Sequence, residues 1–180
     1  MNSKIKRSLI AAVLVILVLI YTYPGMIGKV VDAETGEPIE GAVIMAEWTT
    51  TEGLSGLTST KSYKVVEVVT GRSGWTWISG AYKPSAKLSS LAVYKKGYVA
   101  WNKYAIFPDY KNRTNFVWCC FYKLFKLKKF KLSYSHNKHV SFIHSAISSG
   151  LNDKDKKIIN EALRWETEKA FEARQKSLNK

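Results

Sequence analysis

The residues that could do chemistry are few. His136, His139 and His144 are the chain's three histidines. The spacing His136-x-x-His139, with His144 nearby, could present imidazoles to a metal. No carboxylate or cysteine stands close to them in sequence, so ordinary polar or capping roles are expected and no metal ligand is assigned. The two cysteines, Cys119 and Cys120, are adjacent. Neighbouring cysteines can close only a strained vicinal bridge, so a disulfide framework is excluded; the expectation is two strand residues on opposite faces. There is no Cys-x-x-Cys, no His-x-x-Glu, no Gly-x-Ser-x-Gly and no phosphate-cradling glycine loop. The chain therefore reads as non-enzymatic, with no catalytic residue and no cofactor.

Binding chemistry is better represented. Lys123, Lys126, Lys128, Lys129 and Lys131 alternate with Leu124, Phe125, Leu127, Phe130 and Leu132. Such a run is either an edge strand guarded by lysines against aggregation or a contact for polyanions and anionic lipid headgroups. Six tryptophans and ten tyrosines raise a second chemistry, because exposed aromatic faces can stack on sugars, although core packing competes for them. Trp75 and Trp77 stand two apart and share one face of a strand; Trp48 and Trp101 stand near expected loops. The candidate ligand or partner contacts are thus Trp48, Trp75, Trp77, Trp101, Lys126, Lys128, Lys129 and Lys131.

The elements that must position these residues begin with an N-terminal membrane signal. Lys4, Lys6 and Arg7 precede an unbroken apolar run from Leu9 to Ile20, followed by Tyr21 and Tyr23 and a helix-breaking Pro24-Gly25. No small-residue cleavage site follows, so an uncleaved signal anchor crossing an inner membrane through residues 8–23 is expected, with a cleaved signal as the alternative. Basic flanks stay inside, which places everything after Pro24 in the extracytoplasmic or periplasmic space. The net charge of +14 is uneven: residues 119–150 carry six basic groups and no acidic one. With that topology no nucleic-acid partner is expected.

Beyond the anchor, short β-rich runs alternate with turns. Strands are expected at Gly28–Asp32, Gly41–Trp48, Tyr63–Thr70, Trp75–Ile78 and Leu91–Tyr94, and then at Tyr104–Phe107, Asn115–Tyr122 and Leu124–Leu132. The polar stretch Thr49–Thr60 reads as a loop. This spacing predicts a mainly β fold, an antiparallel sandwich. From His139 the period changes: Val140, Ile143, Ala146 and Ile147 share a helical face. A second helix, capped by Asn152 with Asp153 and Asp155 in its first turn, carries Ile158, Ile159, Ala162, Leu163, Ala170 and Phe171. Three regions result: an anchor over 1–26, a β domain over 27–132 and a helical segment over 133–180.

The β domain resembles the carboxypeptidase regulatory-like domain. Three elements carry the likeness. The first is Gly28, Val30 and Asp32, then Thr35-Gly36-x-Pro38-Ile39 and Gly41-Ala42-Val43. The second is Thr70-Gly71-Arg72-Ser73-Gly74-Trp75-Thr76-Trp77-Ile78, with Gly71 where the family usually has Asp and Trp77 where it has Phe. The third is Leu91-Ala92-Val93-Tyr94-Lys95-Lys96-Gly97-Tyr98. The resemblance covers residues 27–108 and implies a prealbumin-like or carbohydrate-binding-like β-sandwich, as found in short bacterial envelope proteins. It implies no activity, since such modules accompany many functions. The expected function is a structural or protein-interaction module docking on another envelope protein, with a glycan- or polyanion-binding module as the alternative.

Overall fold

The computed structural model describes residues 3–22, 25–54, 57–113, 122–147 and 156–178. Cys119 and Cys120, the strand expected at Asn115–Tyr122 apart from its last residue, and the cap expected at Asn152 lie outside them. The N-terminal helix α1 spans Ser3–Thr22. Among the described residues no helix is long and apolar enough to cross a membrane.

The fold is mainly β. Strands β1 (Gly25–Asp32), β4 (Trp75–Ser79) and β9 (Tyr122–Leu127) form a three-stranded sheet in the order β4-β1-β9. Strands β2 (Val43–Leu54), β3 (Leu57–Val69), β5 (Lys87–Tyr94) and β6 (Trp101–Asn102) form a four-stranded sheet in the order β3-β2-β5-β6. A small ribbon pairs β7 (Ala105–Ile106) with β8 (Lys111–Asn112). The pairings are antiparallel with one departure from expectation: β9 runs parallel to β1, Ile27 opposite Tyr122 through Asp32 opposite Leu127. Helices α2 (His136–Ala146) and α3 (Lys157–Leu178) complete the chain.

The polar stretch Thr49–Thr60 is not a loop. β2 runs on to Leu54, β3 starts at Leu57, and the two pair from Thr49 opposite Ser62 to Leu54 opposite Leu57. This arm has no apolar alternation because it buries little; ladder hydrogen bonds and cross-strand pairs such as Lys61–Glu52, 3.3 Å apart, hold it.

The turn residues that the sequence marks perform the local work expected of them. Asp32 Oδ1 accepts the Glu34 and Thr35 amides at 2.8 and 3.1 Å, and Thr35 Oγ1 accepts that of Glu37. Asp32 Oδ2 also accepts the Tyr98 hydroxyl at 3.2 Å. Thr70 Oγ1 donates to Ile39 O and accepts the Ala42 amide. The three sequence elements singled out above are thereby tied together around one corner. At Gly74 the backbone has φ of 74° and a Cβ would fall 2.5 Å from Val30 O, so the turn into β4 excludes a side chain.

Two buried clusters follow from the alternation of β2. Ile44, Ala46 and Trp48 join Met26 and Val30 of β1, Ile78 of β4, Phe125 of β9 and Leu91 and Val93 of β5. On the opposite face Val43 and Met45 join Tyr94, Phe107 and the apolar stripes of α2 and α3: Phe142, Ile143, Ile159 and Leu163. The first turn of α3 is tied to the sheet by Glu67 of β3, whose two carboxylate oxygens accept the Ile158 and Ile159 amides at 2.9 and 2.8 Å. A carboxylate there satisfies otherwise orphaned donors and opposes the positive end of the helix dipole. Glu67→Ala should lower stability by about 1 kcal/mol, the usual weight of a lost cap, and speed amide exchange in the first turn of α3.

Candidate functional site

The outer face of the three-stranded sheet is an aromatic platform. Residues of β1 and β4 that point away from the core alternate with the buried ones, and the register aligns them into rows. Trp77, Ile27 and Tyr122 form one row; Trp75, Lys29 and Leu124 form the next. Trp77, Tyr122 and Trp75 are 47%, 46% and 42% exposed, and Ile27 and Leu124 are exposed beside them. The Trp75 and Tyr122 rings lie 5.3 Å apart between centroids, tilted by 42°. The Lys29 ammonium stands 5.1 Å from the Trp75 ring, a cation–π contact. A Cβ on Gly25 would fall 2.0 Å from the Trp77 ring, so the absence of a side chain at Gly25 is what lets that indole lie flat across the strand.

The other candidates separate. Trp48 is buried in the cluster between the sheets, not at a loop surface. Trp101 is buried too, edge-on to Phe125 at 5.0 Å, but one side of it lines a cavity with Lys126 and Lys128. Lys129 Nζ stands 3.9 Å from the buried Asp32 carboxylate, which makes it part of the turn's architecture. Lys131 is exposed beyond the strand. As the edge-strand reading expects, β9 is an outer strand of its sheet. The sequence reading missed Ile27, Lys29 and Tyr122 of the platform; Ile27-x-Lys29 alternating with Met26, Gly28 and Val30 was the available signal. It also missed Arg113, which approaches Lys126 and Lys128 only through the fold.

The histidines are accounted for by a residue far away in sequence. Glu166 of α3 is 1% exposed. Its Oε1 lies 2.5 Å from His136 Nδ1 and 3.0 Å from His139 Nδ1, and its Oε2 accepts the Tyr94 hydroxyl at 3.1 Å. His139 Nε2 accepts the Ala100 amide at 2.9 Å, which leaves the ring proton on Nδ1. That atom faces Glu166 off the line of a well-directed hydrogen bond. Burial acts to raise the Glu166 pKa, but the contacts of His139 and His136 with the carboxylate outweigh it and hold the carboxyl below its ordinary range. Burial, followed by the adjacent Glu166 charge, pushes the Tyr94 hydroxyl far up. Among the described residues no group of three His, Cys, Asp or Glu is arranged to hold a metal. The cluster instead locks α2 and α3 to β5. A depression of about 490 Å³ by His144, Asn160, Arg164 and Glu168 holds none of the candidate contacts.

No family model matches the chain, and comparison with curated proteins and with solved structures gives no match.

Two carboxylates set the acid sensitivity. The Glu34 and Thr35 amides, outweighing burial and aided by Tyr98 and Lys129, hold the Asp32 carboxyl below its ordinary value. A carboxylate depressed in the fold stabilises above its unfolded pKa, and that contribution disappears as pH falls through the folded value. Stability should therefore fall as pH drops below the ordinary Glu and Asp values of 4.5 and 3.8. Glu166→Ala should cost about 3 kcal/mol at neutral pH by stranding its buried partners. Glu166→Gln should flatten the upper part of the acid slope in denaturant titrations.

Proposed function

We propose that the chain is a membrane-anchored, non-enzymatic envelope protein whose two sheets form a β-sandwich of the carboxypeptidase regulatory-like kind, and that the outer face of β4-β1-β9 binds glycan. The observation that carries the reading is the platform itself: Trp75, Trp77 and Tyr122 exposed side by side on a sheet face that no described element covers. Sugar rings present flat C–H faces that pack on aromatic rings, while their hydroxyls are free to meet polar groups such as Lys29. Docking of another protein on the tail helix has less support. The exposed apolar residues of α3 are Ile158, Phe171 and Leu178, far apart in sequence and set among charged side chains, not a contiguous patch.

The anchor is supported by the apolar run Leu9–Ile20 behind a basic head, with Leu9, Ile10, Val13 and Leu14 exposed on α1. The run is shorter than the ~20 residues of a full crossing, and Tyr21, Tyr23 and the flanking cations would extend it at the two interfaces. A second reading rests on position. β1 begins at Gly25, only three residues beyond the end of α1 at Thr22, so the platform would stand near lipid headgroups, where Trp and Tyr are favoured.

Full-length protein in detergent micelles, passed over a panel of immobilised polysaccharides, should be retained by at least one. Trp75→Ala and Trp77→Ala should each weaken retention about tenfold, in line with the loss of one aromatic contact. Retention unchanged in both variants, or none at all, would refute the glycan reading; binding to lipid vesicles alone would favour the second. Carbonate washing should leave the full-length chain in the membrane, and release of a shortened chain would show cleavage instead.

A further inference from the structure

A second feature sits at the seam where β6 of one sheet meets β9 of the other. A cavity of about 190 Å³ opens there, with Trp101, Ile106 and Phe107 as apolar walls and Arg113, Lys126 and Lys128 as cations. The Arg113 guanidinium lies 4.5 Å from the Trp101 ring centroid. Its Nε donates to Asn102 O at 2.9 Å. Those contacts orient the planar group at the cavity wall. Trp101 is itself held edge-on by Phe125, so the wall and the cation on it are fixed before any ligand arrives.

Three positive groups share this small space, and none forms an ion pair with a carboxylate among the described residues. The neighbouring Lys129, by contrast, is paired with Asp32. Half-burial of Arg113 strips water from its charge, and desolvation pulls its pKa below the ordinary value with no counter-charge to offset it. An uncompensated cation beside apolar walls interacts strongly with an arriving anion, because water screens it poorly there. The volume is too small for a drug-sized ligand and suits one compact oxyanion.

The cavity and the platform share strand β9. On β9, Tyr122, Leu124 and Lys126 alternate onto the outer face, so Lys126, one of the residues lining the cavity, continues that face beyond Leu124. Resting on the glycan reading, we infer that the ligand is an acidic glycan, whose sugar rings lie on Trp75, Trp77 and Tyr122 and whose carboxylate or other oxyanion substituent seats between Arg113, Lys126 and Lys128.

Polygalacturonate and its fully methyl-esterified form test this directly, since they share a backbone and differ in charge. Full-length protein in micelles should bind the acidic form at least tenfold more tightly, and added salt should narrow that gap. Arg113→Gln and Lys128→Gln should each remove about tenfold from binding of the acidic form and leave the ester unchanged. Lys128 is exposed and makes no packing contact like that of Arg113 on Trp101, so its variant carries the test if Arg113→Gln perturbs the fold. Trp75→Ala should weaken both forms. Equal affinity for the two, or indifference to both charge substitutions, would overturn the cavity assignment and leave the platform standing. Binding to neither form would overturn the acidic-glycan assignment, and the platform reading would then be decided by the polysaccharide panel. Capture by phosphatidylglycerol vesicles without capture by polygalacturonate would overturn the assignment in favour of lipid headgroups.

Discussion

The segment Val43–Trp48 of β2 is buried on both faces, and the rest of the molecule is arranged around that requirement. Its side chains Ile44, Ala46 and Trp48 need one apolar layer, and Val43 and Met45 need another. The three-stranded sheet supplies the first through Met26, Val30, Ile78 and Phe125. Helices α2 and α3 supply the second through Phe142, Ile143, Ile159 and Leu163. Each covering layer spends its apolar face in doing so. The far side of β4-β1-β9 is then the sheet face that no described element covers, and it is there that two tryptophans and a tyrosine stand in register. A surface of that kind on a sheet that already has a core on its other side is what makes binding the natural reading.

The helical layer is held by more than apolar contact. Glu166 joins Tyr94 on the sheet to His136 and His139 on α2, and Glu67 grips the start of α3. Buried polar groups of this sort add little net stability relative to apolar packing, but they penalise every misplaced docking in which they would be left unpaired. They fix how α2 and α3 sit on β2 and β5. On the other side, the Asp32–Tyr98 hydrogen bond fixes the end of β1 against the turn after β5, and the Asp32–Lys129 pair fixes it against the segment after β9. That keeps the end of β9, with Lys126 and Lys128, beside Trp101 of the opposite sheet.

Much of this was legible in the sequence. The Asp32-x-x-Thr35-Gly36 turn, the shared face of Trp75 and Trp77, the strand Leu91–Tyr94 and the helical stripe through Ile159, Leu163 and Ala170 all follow from turn chemistry or from a period of two or 3.6. The Thr49–Thr60 arm reads as a loop because a strand pair that buries little loses the alternation by which strands are recognised. Trp48 and Trp101 stand near turns yet are buried, because nearness to a loop does not decide which way an indole points. Glu166 was overlooked although it stands on the same helical face as Leu163 and Ala170; a carboxylate on an apolar stripe announces a buried partner without saying which one.

What the sequence determined by itself is therefore the set of local conformations: β-rich runs, the turns between them, two amphipathic helices and a basic, apolar N-terminus. Those depend on residues within a few positions of one another, where backbone sterics and side-chain spacing act directly. The tertiary structure decided every pairing across distance: β9 parallel beside β1, Tyr122 in the row of Trp77, Glu166 between His136 and His139, and Arg113 facing Lys126 and Lys128. Such contacts are chosen by strand register and by which apolar faces can cover one another, and both are properties of the assembled layers, not of any one segment.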